Sequence, residues 1–338
     1  MEDERKSPIS ASQRLAIAPM MDWTDRHCRY FHRQLTRRAL LYTEMVVADA
    51  VIHGVRERLL GYDAAEHPVA LQLGGSDPEK LAEAVRIAAS FGYDEVNLNV
   101  GCPSDRVQSG TFGACLMLQP ALVARCVEAM KEAAPAGQQV TVKCRIGVDE
   151  QDPETALFDL ARQVADAGTD AIWVHARKAW LEGLSPKENR DIPPLDYNLV
   201  YRLKADYPSL FIGINGGIQD LNQAVEHLRH VDGVMLGRAA YHNPGLLSDV
   251  DSTIYGEAGA SVDLHSVVLT MADYIDRHVA AGGKANQVTR HMVGLFHGMP
   301  GARGWRQHLS TQAVLPGADG QVLRDALEKI TAVQRAAA

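Results

Sequence analysis

The chain has 338 residues, a length that fits two domains or one large barrel with an appendage. Apolar residues make up 46% and charged residues 22%, the balance of a globular protein and not of a disordered one. No apolar run approaches the roughly 18 residues of a membrane helix, and the polar start, Met1 to Lys6, lacks the apolar core of a secretory signal. Five cysteines without a C-x-x-C pair fit neither a disulfide scaffold nor a zinc ribbon, so no metal site is expected and a reducing cytoplasm is the expected location.

The net charge is −8, which argues against a general attraction to polyanions or membranes. The charge is uneven, however. Between Asp276 and Asp319 there is no acidic residue, and the stretch carries Arg277, Lys284, Arg290, Arg303 and Arg306 with four histidines. Such a basic region on an acidic body can bind a polyanion locally.

Residues 1–13 are polar and read as a flexible leader. Eight short β-rich runs then follow: 15–19, 41–45, 69–73, 95–99, 140–144, 171–175, 210–215 and 233–236. Helix-like stretches alternate with them at 77–91, 119–134, 154–167 and 220–230. Capping chemistry supports these assignments, as in Ser76-Asp77-Pro78-Glu79 at a helix start. Eight β-then-α units within about 240 residues predict an α/β fold, a (β/α)8 TIM barrel over 14–255. A doubly wound sheet would need a glycine fingerprint after its first strand, and Pro19-Met20-Met21 stands there instead. From about Val262 the runs cease. Residues 264–281 and 322–338 read as helices, so 256–338 are expected to form a small all-helical domain holding the basic stretch.

A barrel of this kind carries its active site at the C-terminal strand ends. Those ends hold Pro19, Met20 and Met21; Glu44; Gln72; Asn97 and Asn99; Lys143 and Arg145; His175; Asn215, Gly216 and Gly217; and Gly237 with Arg238. Polar groups inside apolar strands are costly without partners, and so many together indicate a polar ligand. The glycine turns after strands seven and eight lie where barrels bind phosphate, and Arg238 can add charge-assisted bonds. Flavin mononucleotide is the leading candidate, with Lys143 near its electron-rich edge and His175 and Gln72 on its polar edge. Cys102, in N-V-G-C-P-S, is the one cysteine expected in a loop beside the pocket and can act as a proton donor. Arg26, Arg29, Arg33 and Arg37 are spaced to share a helix face; a solvated face is the plainer reading and a nucleic-acid contact the alternative. The stretch from Arg177 to Pro194, with Lys187 and Arg190, is too long for a simple turn.

These motifs resemble the tRNA-dihydrouridine synthases. The residues that carry the resemblance are A-P-M-M-D-W-T-D at 18–25, Y-T-E-M at 42–45, A-L-Q-L-G-G at 70–75 and N-L-N-V-G-C-P-S at 97–104. Further along come V-K-C-R-I-G at 142–147, H-A-R at 175–177, N-G-G-I at 215–218 and D-G-V-M-L-G-R at 232–238. G-L-S-P-K-E-N-R at 183–190 and P-G-A-R-G-W-R at 300–306 are similar to the bacterial A-type subgroup, which reduces D-loop uridines 20 and 20a. The resemblance implies an FMN-binding barrel, a helical tRNA-binding domain and NADPH as reductant. No obligate protein partner is evident in the sequence, and a monomer is expected. The resemblance also implies that Pro19, Met20 and Met21 flank the flavin and that Gln72, Lys143, His175, Asn215, Gly216, Gly217, Gly237 and Arg238 bind it. Cys102 matches the proton donor, and Asn99, Lys187, Arg190, Arg303 and Arg306 match tRNA contacts. Hydride would pass from reduced FMN to C6 of an extruded uracil and a proton from Cys102 to C5. No separate dinucleotide fingerprint is visible, so NADPH and tRNA are expected to use one site in turn. A barrel acting on a small free pyrimidine, a Schiff-base aldolase using Lys143 and a non-catalytic RNA-binding module are the rival readings; the first is opposed by the basic helical appendage.

Overall fold

The computed structural model describes residues 13–103, 112–259 and 261–337. Residues 1–12 of the expected leader lie outside them, and so do residues 104–111 after Cys102. Gln13, the last residue assigned to that leader, is buried, and its amide donates to Glu95 at 3.0 Å.

Eight parallel strands close into a barrel in sequence order. They are β1 (Leu15–Ile17), β2 (Leu40–Val47), β3 (Val69–Gly74), β4 (Glu95–Val100), β5 (Gln139–Arg145), β6 (Ala171–His175), β7 (Phe211–Asn215) and β8 (Gly233–Leu236). Closure comes from β8 against β1, with Leu15 opposite Val234 and Ile17 opposite Leu236. The TIM barrel expected from the eight runs is the observed fold. Helices Pro78–Ala89, Pro120–Ala133, Pro153–Asp166, Tyr197–Asp206 and Leu221–His227 return the chain between strands. Three of them open on proline, and an aspartate caps four: Asp77 accepts from Glu79 and Lys80 N–H, Asp152 from Thr155, Asp196 from Leu199 and Asp220 from Gln223.

Along β4, Val96, Leu98 and Val100 are buried in the apolar layer with the helices, while Glu95, Asn97 and Asn99 alternate with them. The barrel interior is therefore divided. One part is apolar, with Ala16, Ala18, Leu40, Tyr42, Ala70, Trp173 and Met235 packed together. Trp173 fills it because Gly213, its register partner, has no side chain: a Cβ there would lie 2.1 Å from the indole. The other part is polar, built from Gln72, Glu95, Asn97, Asn99 and Thr141, all buried.

The C-terminal region is helical, as expected. Helices Leu264–Ala280, Ala285–Thr289, Ala302–Gln312 and Gln321–Ala337 surround a buried Trp305. Its ring meets Phe296 edge-on, and its indole N–H donates to Met292 O at 2.9 Å. The region docks on helix Arg26–Leu35. Tyr30 stacks on Tyr274 with ring centroids 4.2 Å apart, His27 bonds the Tyr274 hydroxyl, and Asp25 pairs with Arg290 at 2.6 Å and His291 at 3.0 Å. Burial acts against ionisation of Asp25, but the bonds to His291 and Arg290 hold its carboxyl well below the usual range.

Helix Arg26–Leu35 also corrects the reading of its arginines. Arg29 and Arg33 are buried, not solvated. Arg29 pairs with buried Glu66 at 2.6 Å, and Arg33 donates to the carbonyls of Thr36, Ala39 and Glu66. Arg37 lies beyond the helix end and pairs with Glu257. The four neither share a solvated face nor form a cationic stripe: periodicity identifies a common face but not which way it points.

Burial pushes the Glu95 carboxyl up to about 7, against about 4.3 in an unfolded chain. Between those values the folded state binds the extra proton, so this residue makes stability fall as pH rises from about 4 to 7 and level off above. Glu95→Gln, measured by chemical denaturation across that range, should flatten the slope and be the more stable protein at pH 8.

Candidate active site

A cavity of about 300 Å³ opens at the C-terminal ends of the strands. Pro19, Met20 and Met21 from β1, Gln72 from β3, Lys143 from β5 and His175 from β6 line it. So do Asn215, Gly216 and Gly217 from β7, Gly237 and Arg238 from β8, and Asn99, Cys102 and Arg190. These positions come from seven strands and their following loops, and only barrel closure brings them together. Lys187 is exposed and does not line the cavity. Arg303 and Arg306 are exposed on helix Ala302–Gln312, outside the cavity, and neither forms an ion pair among the described residues. That arrangement leaves them available to a polyanion instead of bracing the barrel.

The cavity is electropositive. Lys143, Arg145, Arg190 and Arg238 line it, and no aspartate or glutamate does among the described residues. Burial, reinforced by the neighbouring Arg145, pushes the Lys143 ammonium down to about 8. Its Nζ donates to Asn215 Oδ1 at 3.3 Å, and Asn215 in turn donates to Met235 O at 2.8 Å. Burial, with Arg145 and Lys143 nearby, holds His175 well below the usual imidazole range. The ring is therefore neutral, and its Nε2 is buried without a partner among the described residues. An orphaned polar atom beside several cations implies a polar, anionic ligand.

The turn after β7 is shaped for close approach. Gly216 and Gly217 have φ of +114° and +73°, which side chains rarely adopt. A Cβ at Gly216 would lie 2.7 Å from the His175 ring, and one at Gly217 2.6 Å from Leu195. Arg238 stands at the mouth, paired with Asp191 at 2.7 Å.

Two further features were not assigned a role from sequence. Arg145 is buried and donates to Gly101 O, Lys178 O and Asn189 O, each at 2.9 Å. It ties the start of the Cys102 loop to the loop that carries Lys187 and Arg190. Asn189, fully buried, organises that second loop through bonds to Trp180 N, Trp180 O and Leu184 O. Trp23 lines the cavity and stacks on Tyr241 with centroids 4.3 Å apart. Its place beside Pro19-Met20-Met21 was the available signal, whereas nothing in the sequence links Arg145 to carbonyls 33 and 44 residues away.

The whole chain has close relatives. Residues 16–332 match the family described as Dihydrouridine synthase (Dus). The chain is 55% identical to the Salmonella typhi protein named tRNA-dihydrouridine(20/20a) synthase, over 98% of this chain and 99% of that one. Identity to the Escherichia coli K12 protein of the same name is also 55%, over 96% and 94%. Among solved structures, the old yellow enzyme homologue from Zymomonas mobilis is similar with a TM-score of 0.51 at 13% identity, covering 75% of this chain and 91% of that one. Morphinone reductase gives 0.51 at 14% identity, covering 75% and 90%. These two share the barrel fold.

Because Arg145 joins two loops, Arg145→Met should lower stability by about 3 kcal/mol, as buried carbonyls lose a charged donor. Limited proteolysis between residues 178 and 190 should accelerate, and the rest of the barrel should stay resistant.

Proposed function

The chain belongs to the dihydrouridine synthase family, and from that premise we propose that it is an FMN-dependent oxidoreductase that reduces uridines 20 and 20a in the tRNA D-loop to 5,6-dihydrouridine, with NADPH as reductant. It acts as a monomer in the cytoplasm, with residues 14–255 as the catalytic barrel and 256–338 as the tRNA-binding domain. The observation that carries this reading is the convergence, among the described residues, of Cys102, a half-buried lysine, an unpartnered imidazole nitrogen and two positive-φ glycines on one cavity that no Asp or Glu lines.

The donor set suits FMN. Gly216, Gly217, Gly237 and Arg238 would hold its phosphate through backbone N–H groups and the guanidinium. Lys143, Gln72, His175 and Asn215 would hold the polar edge of its ring, and Pro19, Met20 and Met21 would flank the ring. Such a group would supply hydride chemistry for C6 of the uracil, with NADPH as the reductant. Lys143 would place a positive charge at the polar edge of its ring. Cys102 would deliver its thiol proton to C5 of the uracil. Asn99 orients the uracil edge, and Arg190 at the cavity wall meets the flanking backbone. Lys187, Arg303 and Arg306 contact tRNA phosphates away from the chemistry.

A visible spectrum of the purified protein tests the cofactor, and dihydrouridine formation on folded tRNA tests the reaction. Cys102→Ala should keep FMN and its reduction by NADPH but lose about 10²–10⁴ in uridine reduction. A comparable loss in the NADPH half-reaction would give Cys102 another role.

Replacing Arg303 and Arg306 together by alanine should weaken tRNA binding and reduce its salt dependence by roughly 0.7 to 0.9 in slope for each lost phosphate contact. Neither residue forms an ion pair among the described residues, so the melting temperature and NADPH-driven flavin reduction should stay as in the parent. Titrations at two salt concentrations read the difference.

A further inference from the structure

The polar part of the barrel interior forms one continuous hydrogen-bonded line from the mouth to the closed end. At the mouth, Asn99 Oδ1 accepts from the backbone N–H groups of Gly101 and Cys102, each at 3.0 Å. Asn99 Nδ2 donates to Gln72 Oε1 at 2.8 Å, Gln72 Nε2 to Asn97 Oδ1 at 2.9 Å, and Asn97 Nδ2 to Thr141 Oγ1 at 2.7 Å. The Thr141 hydroxyl then donates to Glu95 Oε1, which also accepts from Tyr42, while Gln13 donates to Oε2 at 3.0 Å. All five side chains of the line are buried.

Every link in this line donates in the same direction. A row of amides and hydroxyls can run either way unless an end group decides, because each member both donates and accepts. The Glu95 carboxyl decides it at the closed end, because its Oε1 accepts from both the Thr141 and the Tyr42 hydroxyl, and backbone N–H groups that only donate agree with it at the mouth. The direction matters at Asn99. Both lone pairs of its oxygen are used by the Cys102 loop and one amide hydrogen by Gln72, which leaves one N–H for a ligand in the cavity it lines.

We propose that Glu95 is a positioning residue: as the terminal acceptor of a one-way hydrogen-bond relay through the barrel, it fixes the Asn99 amide so that the pocket meets the base with an N–H donor and the backbone at Cys102 is held in place. The role in turnover rests on the function proposed above, whereas the relay itself does not. With the acceptor gone, the amides can invert. An inverted Asn99 turns its Nδ2 onto the N–H groups of Gly101 and Cys102, and the loop loses its anchor. Glu95 works from four residues down the strand, about 13 Å away, without touching substrate or cofactor.

The relay needs an acceptor, not a charge. Gln13 Oε1 is buried without a partner among the described residues, so a rotated Gln13 amide, with the Gln139 amide it donates to turning alongside, can accept from a proton or an N–H at the Oε2 position. Oε1 then still serves Thr141. Glu95→Gln and Thr141→Ser therefore keep the relay, whereas Glu95→Met deletes both carboxyl oxygens and Thr141→Val deletes the hydroxyl that accepts from Asn97.

Hydrogen exchange at the Gly101 and Cys102 amides, followed by NMR in the ligand-free protein, reads the anchor directly. Exchange should be about tenfold faster in Thr141→Val and Glu95→Met and within about twofold of the parent in Thr141→Ser and Glu95→Gln. Single-turnover reduction of tRNA uridine by pre-reduced enzyme should fall about tenfold in the first pair, with tRNA affinity unchanged. Should Glu95→Met not fold, Thr141→Val against Thr141→Ser decides the matter. Parent-like exchange in Thr141→Val, or an equal loss in the two conservative variants, overturns the relay. A parent enzyme that reduces no tRNA uridine, with the exchange pattern as expected, overturns the function and leaves the relay standing.

Discussion

The pairing of β8 with β1, Leu15 against Val234 through Ile17 against Leu236, turns a row of strands into a ring. The rest of the molecule depends on that closure. In an open sheet Met20 and Arg238 would sit at opposite edges; in the ring they line one cavity with Gln72, Lys143 and His175. Closure also creates an interior that must be filled without water. Trp173, set against Gly213 and Gly233, fills one part with a single large ring. The remaining part is filled by amides and a carboxyl group, which a buried space tolerates only when they satisfy one another.

Cations in this protein are held in two different ways, and the difference marks their uses. Arg29 is neutralised by Glu66, and Arg290 by Asp25. These pairs lie in the framework and where the C-terminal helices meet the barrel. Around the cavity, Lys143 and Arg145 are instead held by an amide oxygen and by carbonyls. Carbonyl partners satisfy the hydrogens of a cation but leave its charge. The cavity thus keeps a positive field suited to a phosphate and an electron-rich ring. Arg238 is the exception, with Asp191 as its partner at the mouth.

The loops above the cavity are joined to one another through residues at the strand ends. Arg145 reaches from β5 to Gly101 on one side and to Lys178 and Asn189 on the other. Asp191, next to Arg190, reaches Arg238 after β8. The loop expected to meet tRNA is therefore in mechanical contact with both the Cys102 loop and the glycine turn expected to hold phosphate.

The sequence by itself determined the eight strands, four of the helices between them and most of the cavity lining. The reason is local: alternating and β-branched runs, Asp and Pro caps, and polar residues at strand ends are short-range signals. Once eight β-then-α units are counted, the ends of the strands must meet. Tertiary structure alone decided the direction in which each side chain faces and what it meets there. The spacing of Arg26, Arg29 and Arg33 was legible, but the burial of Arg29 and Arg33 against Glu66 and the carbonyls of Thr36 and Ala39 was not. The polar residues of β4 were legible as unusual, yet the one-way bonding from Asn99 to Glu95 passes through β3 and β5 and depends on strand register. Arg145 was visible at its strand end, while its partners lie on loops separated from it by more than thirty residues. Hydrogen-bond partners of that kind are set by how elements pack in three dimensions, and no periodicity along the chain encodes them.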